Sequence, residues 1–160
     1  MVKNFPKAIV AAFLFLLLVG MSSIGDSRRN LPLTLEDSNA KPVTIGSTDS
    51  SYHTLLLFWT TWCPYCRESI VALKGRYAEL RKNNVEVFAV NVKERPRKAG
   101  PFIKANNLPY PVLFDRDGSA AGSMGIVGIP TFILIDKNGD ILFKGNYFPE
   151  DEYKKLIREE

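Results

Sequence analysis

Apolar and polar side chains alternate in two short runs near the start of the chain, residues 31–35 and 42–45, on either side of the polar stretch 37–40. Alternation with a period of two around a turn is typical of a β-hairpin. Further along, residues 55–59 are apolar without alternation, and residues 85–92 form a second run rich in valine. Short apolar runs of this kind are typical of strands that are covered on both faces. The pattern therefore predicts an N-terminal hairpin followed by two central strands.

Helical spacing lies between those two central strands and recurs later in the chain. Ile70, Leu73, Tyr77 and Leu80 follow one another at intervals of three and four before the pair Asn83-Asn84, which predicts an amphipathic helix with a stop signal. The other predicted elements are a short helix at 101–107 with Pro101 in its first turn, a strand at 112–114, one or two helical turns at 119–124, strands at 132–135 and 141–143 joined by an Asn138-Gly139 turn, and a C-terminal helix at 151–158. We expect an α/β fold with helices on both faces of a central mixed sheet.

The only two cysteines of the chain, Cys63 and Cys66, lie three residues apart just after the apolar run 55–59. Across the first turn of a helix, such a pair has Cα atoms about 5–6 Å apart, a separation that a disulfide accepts. If a strand ends near Trp59 and a helix begins near Pro64, Cys63 lies at the helix N-terminus, where unpaired N–H groups and the helix dipole favour a thiolate. We therefore predict a redox pair in which Cys63 is the attacking sulfur.

The two thiols could also serve a metal or a structural disulfide. Together with His53, the single histidine, they are too few for a typical four-ligand zinc or iron–sulfur site within one chain. A disulfide between residues three apart would close too short a loop to restrict the unfolded chain much. Redox exchange is therefore the favoured interpretation, with no metal and no cofactor.

The first 25 residues have the composition of a targeting segment. Lys3 and Lys7 precede an apolar run at 8–21, and a flank containing serine and glycine follows. The run is shorter than the roughly 20 residues that span a bilayer, but the best cleavage position, before Asp26, is weak. We expect a signal peptide or an uncut membrane anchor at 1–25 and one domain at 26–160, exported to the periplasm or to the outer face of the cytoplasmic membrane.

The formal net charge of the whole chain is +4, and the targeting segment carries part of it. The one dense basic stretch, 93–98, also contains Glu94 and Pro96, and we interpret it as a solvated loop or the start of a helix. No nucleic-acid partner is expected.

Four features occur together along the chain: the N-terminal hairpin, the sequence Phe-Trp-Thr-Thr-Trp-Cys-Pro-Tyr-Cys at 58–66, Val-Asn-Val at 90–92, and Gly-Ile-Pro-Thr-Phe at 128–132. In this combination the chain resembles the thioredoxin-like superfamily and, within it, the exported TlpA/ResA-like thiol:disulfide oxidoreductases. The resemblance covers about residues 31–158. It implies a thioredoxin-like fold, thiol–disulfide exchange with exported proteins, and a membrane redox donor.

The resemblance also implies roles for residues near the cysteines. The peptide bond before Pro130 is expected to be cis and to lie against the cysteine pair, while Ile129 and Thr131 are expected to bind an extended substrate segment. The residues expected to support the active site are Trp62, Pro64, Tyr65 and Pro130.

Two acidic residues of the family pattern are missing here. Leu57 stands where thioredoxin has a buried aspartate, and Ser69 stands where a glutamate often follows the second cysteine. Glu68, one residue earlier, is expected to face solvent. The group that accepts the proton of Cys66 is therefore left open.

The expected reaction is thiol–disulfide exchange through Cys63 and Cys66. Relatives that keep exported thiols reduced, such as those of apocytochrome c, favour a reductant, whereas the Pro-Tyr dipeptide between the cysteines resembles that of glutaredoxins and favours a less reducing couple. We expect a monomeric reductant that acts on exported protein disulfides or thiols. Two alternatives stay open: a metallochaperone that uses His53 with both thiols, and a peroxiredoxin, whose pattern is matched only in part by Thr60-x-x-Cys63.

Overall fold

One mixed sheet of seven strands organises the protein. The computed structural model describes residues 31–46 and 51–158. The strands are β1 (Leu33–Glu36), β2 (Pro42–Ile45), β3 (His53–Trp59), β4 (Val85–Val92), β5 (Val112–Asp115), β6 (Thr131–Ile135) and β7 (Ile141–Gly145). All seven predicted strands are confirmed, and their ends differ only slightly from the expected ones. The targeting segment expected at 1–25 lies outside the described residues.

The strands lie in the order β2-β1-β5-β4-β3-β6-β7. β3 pairs in parallel with β4, and β4 pairs in parallel with β5. The other four pairs, β2-β1, β1-β5, β3-β6 and β6-β7, are antiparallel. The carboxyl ends of β3 and β4 lie side by side, with Trp59 opposite Asn91. The cysteine turn follows β3 at this edge of the sheet.

β3 contributes to two apolar cores at once. Leu55, Leu57 and Trp59 pack into one core cluster, and Leu56 and Phe58 pack into a second cluster on the other face of the sheet. All five side chains are fully buried. Burial on both faces explains why this strand shows no alternation of apolar and polar residues.

Helices cover both faces, as predicted. They are α1 (Pro64–Lys82), α2 (Pro96–Asn106), α3 (Ser119–Ser123) and α4 (Glu150–Leu156). α1 buries Ile70, Leu73 and Leu80, three of the residues that gave the helical spacing. Side chains of α1, α2 and α4 pack in the cluster that contains Trp59, and those of α3 pack in the opposite one.

The helix predicted at 101–107 begins five residues earlier than expected. Its first residue is Pro96, which follows the extended N-cap Arg95, and Pro101 lies inside the helix. Pro96 has the same advantage at the first helical position as was expected for Pro101, because the N–H that proline lacks has no helical partner there. The stretch 93–98 is therefore a turn and the first part of α2. Of the two predicted alternatives, the start of a helix is therefore confirmed, and Glu94 within the stretch is buried, at only 4% exposed.

Within 31–46 and 51–158, no helix combines the length and the apolar composition needed to cross a membrane.

Candidate active site

Cys63 lies at the junction of β3 and α1. It is the N-cap of α1 in an extended backbone conformation, and Pro64 takes the first helical position. The Cys63 sulfur accepts a hydrogen bond from the backbone N–H of Cys66 at 3.3 Å. This N–H belongs to the first turn of α1 and has no carbonyl partner within the helix. Its hydrogen bond to the sulfur is an arrangement that favours negative charge there.

Cys66 is enclosed by the first turn of α1. Its side chain is fully buried, whereas Cys63 is 6% exposed, and both are free thiols. Burial, followed by the hydrogen bond with Cys63, raises the pKa of the Cys66 thiol to about 12, and a hydrogen bond with the backbone of Thr60 partly opposes the shift. The charge of Glu94 adds to the increase. Cys66 is therefore a protonated thiol at neutral pH, and only Cys63 reaches the surface.

The segment that precedes β6 lies against the cysteine pair. The Ile129–Pro130 peptide bond is cis, as the resemblance implied, and Pro130 is buried. The carbonyl oxygen of Ile129 lies 3.9 Å from the Cys63 sulfur, from which it accepts a weak hydrogen bond. The Thr131 hydroxyl donates to the carbonyl oxygen of Gly128 at 2.6 Å and closes the turn. The fold thus brings together two motifs that are 66 residues apart in sequence.

A groove of about 610 Å³ opens beside this contact. It lies between the start of α1, the segment 127–131 and the end of β7, and its lining includes Tyr65, Ile129, Pro130 and Thr131. Tyr65 is 73% exposed, and Val127 on the same groove is fully exposed. Large apolar side chains left in solvent around a concave surface are typical of a binding site.

The sequence-predicted residues Trp62 and Pro64 are not part of this groove. Trp62 is 64% exposed beside Cys63. Pro64 lines a separate, shallow groove together with Val71 and Phe102. The structure therefore gathers Cys63, Cys66 and the segment 129–131, and leaves Trp62 on the open surface.

A buried carboxylate near the active-site turn was missed by the sequence analysis. The side chain of Glu94, just after β4, is 2% exposed. Its Oε2 accepts hydrogen bonds from the Thr61 backbone N–H at 2.8 Å and from Asn91 Nδ2 at 2.9 Å, and its Oε1 accepts one from Thr61 Oγ1 at 2.7 Å. Lys98 Nζ lies 3.0 Å from Oε1. Burial alone would raise the pKa of Glu94, but these hydrogen bonds outweigh it and the pKa is lowered.

One signal in the sequence could have revealed Glu94. Asn91 is a polar residue in an otherwise apolar strand end, and Glu94 follows three positions later. Because β3 and β4 are parallel neighbours, their carboxyl ends meet at one edge, where functional groups of open α/β sheets collect. Glu68, by contrast, is exposed as predicted.

His53 lies far from the two thiols. It is the first residue of β3, whereas the cysteine turn follows Trp59, the last residue of the strand. At 3.3 Å per strand residue, His53 and Trp59 are about 20 Å apart. In the described part of the chain, no three side chains of His, Cys, Asp or Glu are grouped so that they could hold a metal ion.

Proteins similar in sequence to this chain include thiol-disulfide oxidoreductases. Thiol-disulfide oxidoreductase ResA of Bacillus thuringiensis subsp. konkukian is 32% identical over 106 residues, which are 64% of this chain and 61% of that protein. ResA of Bacillus subtilis is 28% identical over 123 residues, 77% of this chain and 68% of that one. The chain thus spans about six-tenths of the length of the first of these relatives.

A solved structure and a family model extend the comparison. The crystal structure of StoA from Bacillus subtilis superposes with a TM-score of 0.65 at 24% identity, over 79% of this chain and 98% of that chain. This similarity confirms the thioredoxin-like fold with its N-terminal hairpin. A model with the description AhpC/TSA family matches residues 27–144. Because this match covers most of the chain, including the cysteine turn and the cis-proline segment, the protein belongs to the AhpC/TSA family of thioredoxin-like proteins.

Proposed function

We propose that the protein is a thiol:disulfide oxidoreductase that uses Cys63 as the attacking sulfur and Cys66 as the resolving one. The observation that carries the proposal is the position of Cys63. It caps α1, accepts the Cys66 N–H at 3.3 Å, and lies 3.9 Å from the Ile129 carbonyl oxygen. A sulfur at this place faces the helix N-terminus, and Ile129, which it contacts, lines the groove.

The exchange proceeds in two displacements. The Cys63 thiolate attacks one sulfur of a partner disulfide, which forms a mixed disulfide and releases one partner thiolate. Cys66 then loses its proton and attacks the Cys63 sulfur, which releases the second partner thiolate and leaves a Cys63–Cys66 disulfide. Two electrons pass to the partner, and an external dithiol must return them.

The groove supports an extended polypeptide as the substrate. Its wall at 127–131 offers backbone groups next to the reactive sulfur, and its rim carries the exposed side chains Tyr65 and Val127. A strand-like segment can pair with such backbone while its side chains contact the rim. Ile129 and Thr131 are our candidates for this contact, with Pro130 as the residue that holds the turn against Cys63.

We propose further that the protein is exported and works as a reductant in the cell envelope. In this role it receives electrons from a membrane donor and takes part in the maturation of exported thiol proteins such as c-type cytochromes. The targeting composition of 1–25 supports export. A reductant should have a midpoint potential in glutathione buffers nearer to about −270 mV than to about −120 mV. A midpoint potential near the oxidising value would mean that the protein oxidises its substrates. It would not affect the proposed exchange chemistry of Cys63 and Cys66.

A metal-carrying function is the weaker candidate. The histidine that it would recruit lies at the far end of β3, and the two thiols alone give an incomplete ligand set. Copper or zinc retained at one equivalent without turnover would favour it over exchange.

Reduction of insulin with dithiothreitol as the electron source tests the proposed activity. The wild-type protein should accelerate insulin reduction, and Cys63→Ala should abolish the acceleration. Cys66→Ala should turn over much more slowly, because its mixed disulfide is resolved only by external dithiothreitol and not by a neighbouring thiol. Ser123→Ala on α3 is a control of similar size remote from the cysteine turn and should keep full activity. Equal activity of the wild type and Cys63→Ala would refute the proposal.

A further inference from the structure

Glu94 and Lys98 form an ion pair with one buried and one exposed member. The two residues are one helical turn apart, their charged atoms lie 3.0 Å from each other, and the side chains are 2% and 61% exposed. Glu94 receives three more hydrogen bonds from Thr61 and Asn91. Since both carboxylate oxygens are paired with donors, Glu94 remains charged although it is buried.

This carboxylate lies beside the turn that leads to the two cysteines, since it accepts hydrogen bonds from the backbone N–H and the hydroxyl of Thr61. Its charge opposes loss of the proton from Cys66, as does any negative charge on Cys63. The two sites are also joined through the chain, because Glu94 binds Thr61 and the backbone of the preceding Thr60 is hydrogen-bonded to Cys66. In a buried setting such an interaction is weakly screened.

Other charged groups near Glu94 are directed elsewhere or are open to solvent. Those that line the groove beside it are Lys93, Arg95, Arg97, Arg116 and Asp117. Arg116 is paired with Glu36 at 2.9 Å, and Asp117 accepts a hydrogen bond from the Ser119 N–H at 2.9 Å. Within the described residues, Lys98 supplies the one cation for which a direct contact with Glu94 is seen.

We propose that Glu94 and Lys98 are positioning residues with opposite effects on the resolving step: Glu94 adds to the effect of burial in holding the proton on Cys66, and Lys98 partly offsets the charge of Glu94 and so helps that proton to leave. The catalytic meaning of this pair rests on the proposed exchange function. Without Lys98, the field of Glu94 at Cys66 is stronger, and Cys66 ionises less. Without the charge of Glu94, Cys66 ionises more.

Alkylation of Cys66 measures this effect directly. In a Cys63→Ala background Cys66 is the only thiol, and at a pH well below its pKa the rate with iodoacetamide is proportional to the thiolate fraction. Glu94→Gln should raise the rate at pH 8 to 9 about threefold or more, since a buried charge shifts a thiol pKa by about half a unit or more. Lys98→Met should lower the rate by a smaller factor, about twofold, because the Lys98 side chain is 61% exposed and solvent screens its charge. At this pH Glu94 stays ionised in Lys98→Met, because its bonds with Thr61 and Asn91 remain.

Two control variants and the sign of the changes separate charge from structure. Lys98→Arg should restore the parent rate, and Lys104→Met, the same charge loss on an exposed residue of α2, should leave it unchanged. A purely structural role would loosen the active-site turn in both test variants, expose Cys66, and raise both rates. A rate in Lys98→Met that is equal to or above the parent rate would overturn the proposal, and so would a lowered rate in Glu94→Gln.

Two further outcomes are decided in advance. If Glu94→Gln does not fold, the contrast between Lys98→Met and Lys98→Arg decides alone: no difference refutes the proposal. Alkylation requires no disulfide partner, so a failure of insulin reduction with the expected alkylation pattern would count against the proposed function and not against the charge pair.

Discussion

The burial of Cys66 makes a quantitative prediction about its reactivity. The perturbation is Cys63→Ala, which leaves Cys66 as the only thiol. The pKa of Cys66 is raised from 9.0 to about 12, with burial as the largest cause. A shift of about three units lowers the thiolate fraction about a thousandfold at any pH below both values. The substitution removes the contribution of Cys63 and keeps the burial, so we expect a reduction of at least about a hundredfold relative to a free peptide thiol.

The assay is the rate of alkylation by iodoacetamide from pH 7 to pH 10.5, followed by mass spectrometry with glutathione as the reference thiol. The rate for Cys66 should rise about tenfold per pH unit across the range, whereas the rate for glutathione should level off near pH 9. Restricted access alone would lower the rate of Cys66 but would let it level off at the same pH as the reference. A plateau below about pH 10, or a rate at pH 7.5 within tenfold of glutathione, would refute the argument from burial. In Cys66→Ala, Cys63, which is 6% exposed where Cys66 is fully buried, should react faster than Cys66 does.

Three other results are expected. Asp115→Ala removes a buried carboxylate that accepts hydrogen bonds from the N–H groups of Ala120 at 3.1 Å and Ala121 at 2.8 Å, and should lower the free energy of unfolding in urea by about 3 kcal/mol. Asp117→Ala, which removes one exposed bond to Ser119, should lose much less, and equal losses would contradict the reasoning. The pKa of Glu94 is lowered in the folded protein, so its ionisation adds stability above its unfolded pKa of about 4.3, and this stability is lost as the pH falls through the folded pKa. The stability advantage of the wild type over Glu94→Gln should therefore shrink on acidification from about pH 6 to about pH 3, and an advantage that is independent of pH would count against the assigned charge. Val127→Asp places a charge on the rim of the substrate groove and should lower kcat/KM for insulin about threefold or more while the rate with glutathione disulfide stays the same; equal losses with both substrates would remove Val127 from the proposed contact surface.

Most of the fold could be predicted because its elements leave local signals. The unbroken apolar run that became β3 packs into both cores, and the spacing of Ile70, Leu73 and Leu80 is the buried face of α1. The Asn138-Gly139 turn gave the last hairpin, in which Gly139 has a positive φ of 87°. Each of these features is decided by residues that are close in sequence.

The start of α2 could not be predicted because two prolines competed for the same position. Pro96 and Pro101 both suit a first helical turn, and the choice depends on what the residues before α2 do in three dimensions. Glu94 turns inward to bind Thr61, which is 33 positions earlier, so the chain between β4 and α2 is short. Within the basic stretch itself Glu94 gives no sign of this long-range bond, and the one signal is the polar Asn91 at the end of the strand before it.

The sequence predicted which motifs meet at the candidate site but missed part of their surroundings. The two cysteines, Ile129 and Pro130 lie together as the motifs implied. The two positions at which the resemblance implied an acid hold Leu57 and Ser69. The buried carboxylate near the active-site turn, Glu94, instead follows the neighbouring parallel strand β4, and its place beside the turn depends on the sheet order.

Trapping the covalent intermediate tests the central claim most directly. The Cys66→Ala protein is mixed with a peptide that contains one disulfide, and the product is mapped by mass spectrometry. We predict a stable mixed disulfide between Cys63 and the peptide, and none above background with the Cys63→Ala protein. A folded Cys66→Ala protein that forms no adduct, or a Cys63→Ala protein that forms an equal amount through Cys66, would contradict the assignment of Cys63 as the attacking sulfur.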